Sequence, residues 1–425
     1  MNFIALTLAS TLGLTAPAAQ SPVPLVLSGE PLPAGGLVTG IGAVNVGNYN
    51  DWLVQVTTDD PEHPSLVLRW FGPWKQLGDV VNQPAGATIA EFRSFSAEVF
   101  GAVSWIARLE GTPGGTTDDE AVFMENMLWL QEGPVTGFVL TNLPEGSRWL
   151  SFDDVRCSSN SGIVLFRGHL DDPTLAGPDE TYLALGGLCA SIGQLCNVDR
   201  LVSEGQPAPG LETLIESVRV SPATAAIAPS GTYVVWSCDL EGDPASDACV
   251  YRLKGFTGQN QVLLAREGSP SPVAGKRWGT LERIAVSVNS SGSWTLRARL
   301  DDEDPTTDTV LVKDGTVLAR EGDSLPSIAP QVLAGFGSGP ALIDEAGRVL
   351  WYGRLSGQGQ RSEALFLDDQ ILVQTGVTEI GGRVLIGIGG GVDAMSLSPQ
   401  GDLLVFKGTL AGGIEGAFTM DLSER

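Results

Sequence analysis

Carboxylates are the groups with which this chain of 425 residues could do chemistry, because 50 Asp and Glu stand against 25 Lys and Arg for a net charge of −25. The densest run holds Asp301, Asp302, Glu303, Asp304 and Asp308. Carboxylate and backbone oxygens crowded into one loop suit Ca²⁺, so Asp301, Asp302, Asp304 and Asp308 form the candidate metal site and Ca²⁺ the candidate cofactor, although no twelve-residue EF-hand pattern is present. Two acids about 5–10 Å apart beside a sugar platform would instead hydrolyse a glycoside. Histidine offers little, since His63 and His169 are the only two; a multi-His zinc site is excluded and a His-based triad is disfavoured. There is no Gly-rich phosphate loop and no nucleophile elbow. No residue is therefore assigned a catalytic or cofactor-binding role.

The second reactive set is five cysteines, all between 157 and 249. Whether they pair depends on compartment. An apolar run from Phe3 to Leu14 precedes Ala16-Pro17-Ala18, a small-x-small cleavage pattern. Residues 1–18 thus read as a signal peptide and 19–425 as one secreted domain, extracellular or periplasmic. The run is too short for a membrane span. In an oxidising space Cys238 and Cys249, flanking the turn Asp239 to Ala248, are expected to bridge neighbouring strands, and Cys189 and Cys196 to close a small loop; each bridge would contribute about 2–4 kcal/mol. Cys157 is left over and reads as a small buried strand residue.

What positions these groups is a repeat. Leu-Ala-Arg-Glu-Gly occurs at Leu264 to Gly268 and again at Leu318 to Gly322, and the same apolar ending before Gly recurs at Gly29, Gly133 and Gly205, more weakly at Gly78 and Gly376. A second element, bulky-x-small-x-Leu, begins at Trp105, Phe166, Trp236, Leu296, Trp351 and Phe406, with Trp52 to Val56 as a degenerate first copy. Seven units of 49 to 72 residues result. In the fifth, four short strands (Ile284 to Val288, Ser293 to Leu300, Thr309 to Val312 and Val317 to Ala319) are separated by turn signals that include Asp314-Gly315.

Four antiparallel strands per unit describe a propeller blade. The expected fold is all-β, a seven-bladed β-propeller, with an open array of β-repeats as the alternative. The N-terminal strand Pro24 to Ser28 matches the fourth strand of a unit, whereas the last unit stops after its third, Ala417 to Leu422. Pairing them closes the ring and removes its exposed edges.

Each second strand is entered through a turn that reads Asn289-x-x-Gly292 in the fifth unit, with looser forms at Ser159 to Gly162, Pro229 to Gly231, Asp344 to Gly347 and Ser398 to Gly401. In these turns the chain resembles the bacterial secreted proteins described as choice-of-anchor tandem repeat, N-x-x-G containing. That family has no assigned catalytic residues, so the resemblance implies none here.

Antiparallel topology sends the turns after the second and fourth strands to one end of a blade, gathering roughly half of the 50 acids there. Arg108, Arg167, Arg297, Arg299, Arg354 and Lys407 recur on the second strands, and burial requires that they be paired; the Glu before each repeat Gly (Glu132, Glu204, Glu267, Glu321) is the expected partner. The excess negative charge repels phosphate backbones and anionic bilayers, so nucleic acid is excluded as a partner. The reading is a monomeric, secreted, non-catalytic binding or surface-associated protein whose ligand the sequence does not identify, a carbohydrate and a cationic partner being the candidates. A secreted carbohydrate-active enzyme, glycosidase or lyase, is the alternative.

Overall fold

In the computed structural model the regular secondary structure of the described residues is almost entirely β. The structure describes residues 21–424 except 34, 49–50, 71, 98–101, 135–142, 176, 178–179, 189–194, 220, 222, 256–259 and 358–361. Seven antiparallel sheets follow one another along the chain. Blade 1 holds Val38–Val46, Trp52–Thr58, Ser65–Arg69 and Gly72–Gln76, and the fifth sheet holds Ala285–Val288, Trp294–Arg299, Thr309–Lys313 and Thr316–Arg320. Seven hydrophobic clusters lie one between each pair of neighbouring blades, including one that joins Val405 and Ala417 of blade 7 to Val54 and Val56 of blade 1. The ring is therefore closed, a seven-bladed propeller.

Closure is made by the chain ends, as the incomplete last unit requires. Val23–Leu27 pairs antiparallel with Ile414–Asp421 as the outermost strand of blade 7, Val23 opposite Thr419 and Leu27 opposite Gly416. The signal-peptide segment 1–18 lies outside the described residues.

The repeat motifs have distinct mechanical jobs. All seven repeat glycines adopt positive φ, from 71° at Gly268 and Gly376 to 112° at Gly133, a region that other L-residues enter at a cost. At six of them the Gly amide donates to the carbonyl at the start of the next blade, as Gly322 N does to Leu333 O at 2.8 Å. Glycine thus turns the outer strand of one blade back toward the axis of the next. In blades 2, 4 and 6 the bulky residue of the second strand stacks on its cross-strand partner: Trp105 on Phe123, Trp236 on Tyr251 and Trp351 on Phe366, with centroids 4.4, 4.9 and 4.1 Å apart. Such pairs contribute about 0.5–1.5 kcal/mol each beyond area burial. In blade 1 the register differs from the sequence reading by two residues. Val46 opposite Trp52 corresponds to Ala97 opposite Val103, so Val54, not Trp52, occupies the bulky position.

The N-x-x-G turns clasp neighbouring blades. Asn289 Oδ1 accepts from Ser291 N and Ser293 N within its own turn, while its Nδ2 donates to Asp344 O of the next blade's turn at 2.9 Å. Ser290 Oγ donates to Glu345 Oε1, Ser230 N to Ser290 Oγ, Asn160 N to Pro229 O and Glu345 N to Pro399 O. Turn-to-turn hydrogen bonds thereby run from the third blade to the seventh around one end of the axis.

Candidate functional site

The innermost strands of all seven blades face the axis and enclose a cavity of about 180 Å³. One register position recurs on these strands: Asn45, Ser96, Arg156, Ala226, Ser287, Leu342 and Ser396. Four of these side chains accept a hydrogen bond from the backbone of the following blade. Asn45 Oδ1 takes Ala97 N at 2.9 Å, Ser96 Oγ takes Cys157 N at 3.0 Å, Ser287 Oγ takes Ile343 N at 3.2 Å and Ser396 Oγ takes Val46 N at 3.0 Å. Small hydrogen-bonding side chains at the inner rim therefore staple the blades together. Arg156 is the only charged residue among the seven.

Arg156 projects into the cavity with its side chain 22% exposed, its Nε 3.0 Å from Asp154 Oδ2 and its Nη2 3.3 Å from Asp393 Oδ1. Burial opposes the guanidinium's charge, but the two carboxylates outweigh it and hold the pKa above the ordinary arginine value. Asp154 is shared, because the fully buried Arg167 also donates to it. Asp393 is the outer partner, with its side chain 42% exposed. Ser159 lines the same cavity at 7% exposure, and its Oγ has no hydrogen-bond partner among the described residues. Cys157 is also on the wall, half-buried, its thiol directed at Ser96 O.

The loop Asp301 to Asp308 is organised differently from a metal site. Asp302 accepts from Lys276 Nζ at 3.0 Å and Arg320 Nη2 at 2.7 Å, Asp308 pairs with Arg299, and Asp304 caps Thr306 N at 2.9 Å. Asp301 is exposed. The Lys276 ammonium bond chiefly holds Asp302 below the usual carboxylate range, and the Thr306 hydroxyl does so for Asp304. Among the described residues no three Asp, Glu, His or Cys side chains converge as a metal-binding group. A Ca²⁺ ion here would have to displace three basic side chains, which also make this end less negative than the count of acids implies.

The cysteine expectation is corrected in part. Cys238 and Cys249 are directly opposite in register and buried, yet they are separate thiols. Cross-strand Cβ atoms stand about 4.5–5.5 Å apart, whereas a disulfide prefers about 3.5–4.5 Å. Burial pushes both thiols up, Cys249 to about 11, so at neutral pH they stay protonated. Cys189 lies outside the described residues, and of Cys196 only the backbone, paired with Gly187, is described.

Among the described residues three of the recurring basic residues form ion pairs, Arg108, Arg167 and Arg299, and none of the three with the expected Glu. Arg167 bonds Asp154 and then crosses to the next blade, reaching Arg219 O, Ser221 O and Thr224 Oγ1; Arg297 likewise reaches Ser338 O and Gly339 O. Arg108 binds Glu91 and Arg299 binds Asp308. The Glu before the repeat Gly instead meets an acid of the neighbouring strand: Glu132 with Asp119, Glu267 with Asp247 and Glu321 with Asp308. Burial above all, with the adjoining carboxyl, raises all three, Glu132 to about 7.

Two features escaped the sequence. Arg156 carried no motif of its own, and only an alignment of the seven inner strands would have shown it at a position otherwise neutral. Trp70, 53% exposed, starts the hairpin turn of blade 1 with φ 53°, where the corresponding turns place Glu125, Asp314 and Asp368. Those acids accept from Val103 N, Trp294 N and Val349 N. Trp70 has no such oxygen to offer and lies 4.7 Å beneath the Arg69 guanidinium.

Among solved structures the chain is similar to the Dos1 propeller, at 11% identity and TM-score 0.42 over 93% of this chain and 95% of that one. It is also similar to prolyl oligopeptidase B from Galerina marginata, at 9% identity and TM-score 0.43 over 87% and 47%. An ancestral GH74 enzyme matches at 11% identity and TM-score 0.41 over 95% and 51%. The chain spans about half the length of the latter two. No curated protein matches its sequence. A family model covers residues 159–379, more than half of the sequence, and with it most of blades 3 to 6; the chain belongs to the family of unknown function DUF7453.

Proposed function

We propose that this protein is an exported, non-catalytic binding propeller whose ligand seat is the axial cavity beside Arg156. The observation that carries the reading is the break in the inner ring: six of seven equivalent positions are neutral, and the seventh places an arginine in the cavity between two carboxylates. Glycoside hydrolysis needs two acids on opposite sides of a sugar ring. Asp154 and Asp393 both bind one arginine instead, which favours recognition over turnover. Export rests on the apolar run Phe3 to Leu14 with Ala16-Pro17-Ala18, and the likeness of the N-x-x-G turns to choice-of-anchor repeat proteins agrees with a cell-surface setting. The net charge of −25 favours cationic macromolecular partners.

The test is a thermal-shift screen of small metabolites and glycans against the full chain and an Arg156→Lys variant, run beside a turnover assay on the same glycans. A ligand that stabilises the native chain and is lost in the variant is expected. Glycan turnover abolished by one Asp or Glu substitution would establish the enzymatic alternative. N-terminal sequencing of protein recovered outside the cytoplasm should begin near residue 19; an intact Met1 there would refute cleavage.

A further inference from the structure

We propose that the axial cavity binds a small zwitterion of the α-amino-acid class, its carboxylate on Arg156 and its ammonium on Asp393. This rests on the reading of the cavity as a ligand seat and adds the ligand's chemistry.

Size comes first. A volume of about 180 Å³ slightly exceeds the ~150 Å³ cavity that takes up benzene and falls below the ~300–1,000 Å³ of drug-sized pockets. The occupant is therefore a compact molecule.

Charge comes next. The cavity offers one guanidinium and one carboxylate joined by a contact of 3.3 Å, the longer of the two that Arg156 makes. A lone anion at Arg156 would meet Asp393 and Asp154. A lone cation at Asp393 would meet Arg156, and Lys407 lies close enough to feel the Asp393 charge. Like charges at such separations are costly. A molecule carrying both charges on neighbouring atoms can open the outer pair and replace each partner with one of opposite sign, while Asp154 and Arg167 hold the rest of the network.

Two more features fit. The Ser159 hydroxyl, buried and without a partner among the described residues, is a ready hydrogen bond for a ligand carboxylate. The rest of the wall mixes polar and apolar surface, and Val46, Val288, Ile343 and Met395 in it can meet a short aliphatic side chain.

The experiment is calorimetric titration of the full chain with L-alanine and L-leucine, alongside N-acetyl-L-leucine and L-leucinamide, which each lack one charge. The free amino acids should bind, the blocked ones should bind at least about tenfold more weakly, and Asp393→Asn should lose binding while keeping its melting temperature, because that side chain is partly exposed. The inference is overturned if neither free amino acid binds at about 10 mM, a concentration that would reveal even weak ligands through stabilisation. Equal binding of the blocked compounds, or unchanged binding by Asp393→Asn, overturns it as well. A ligand from the wider screen that carries no paired charges yet is lost in Arg156→Lys would leave the ligand seat standing and remove only the amino-acid assignment; if nothing in either screen binds, both fall.

Discussion

Val26 in the first strand lies opposite Ala417 in the last, and both are buried, at 3% and 0% exposure. Nearly the whole length of the chain separates two residues that share one cluster with Val54 and Val56 of blade 1. The seam is thus a core contact. Deleting residues 21–28 should lower the melting temperature and expose the edge of Ile414–Asp421. Val26→Ser alone should cost about 2 kcal/mol in urea unfolding, the order expected for removing a buried aliphatic side chain. An unchanged melt after the deletion would contradict closure by this strand.

Arg167 and Arg297 occupy the same position in their blades, yet their loss should not be equivalent. Both donate to carbonyls of the following blade, but only Arg167 also neutralises a buried carboxylate, Asp154. Removing one member of a buried ion pair costs about 3–5 kcal/mol, whereas forfeited hydrogen bonds to carbonyls cost about 1–3 kcal/mol. Arg167→Met is expected to destabilise more than Arg297→Met in parallel urea melts. The reverse order would show that Arg156 alone suffices to hold Asp154.

At Trp70 a bulky residue holds φ 53°. Conformations of this kind cost about 1–3 kcal/mol, while an exposed cation–π contact such as that with Arg69 returns about 0.5–1 kcal/mol. Asparagine tolerates the left-handed region and suits the first position of a tight hairpin turn. Trp70→Asn should therefore raise stability by about 1 kcal/mol. If it lowers stability, the aromatic makes contacts that outweigh its backbone.

Stability should peak in mildly acidic solution. Glu132, Glu267 and Glu321 have raised pKa values in the folded chain, Glu132 at about 7, so between the ordinary glutamate value and neutrality the native state binds more protons than the unfolded state. Their stabilising contribution is full at low pH and is lost as pH rises through the folded values. Asp172, Asp302 and Asp304 are lowered and act oppositely, losing theirs as pH falls through the folded values. Melting temperature should rise from pH 8 to about pH 5 and decline below about pH 4. Glu132→Gln should flatten the upper limb; a profile rising steadily to pH 8 would contradict the carboxyl pairs.

Much of the architecture was legible because its devices are local. The seven glycines mark the crossovers, and the tryptophan of the second strand marks the stacked pair in blades 2, 4 and 6. Closure could be read from the complementary chain ends. Blade 1 was misaligned because Val54 fills the bulky position while Trp52 sits two residues away, a more conspicuous side chain at the wrong place. Arg156 was silent for another reason. The significance of Ser96 or Asn45 lies in contact with a neighbouring blade, and no period within one blade encodes that. The partners of Arg167 and Arg297 were missed on the same account: both faces of each sheet are buried, so a residue pointing away from one core points into the next.

The inner staples all point the same way round, each side chain accepting from the blade that follows, and Ser396 of blade 7 accepts from Val46 of blade 1 as readily as Asn45 accepts from Ala97. These four contacts treat the seam between blades 7 and 1 like any other. The pairing of Val23–Leu27 with Ile414–Asp421 makes the closure an ordinary strand contact within blade 7, and a circular permutant joined there and opened at the crossover after Gly322 would keep all four of these hand-offs.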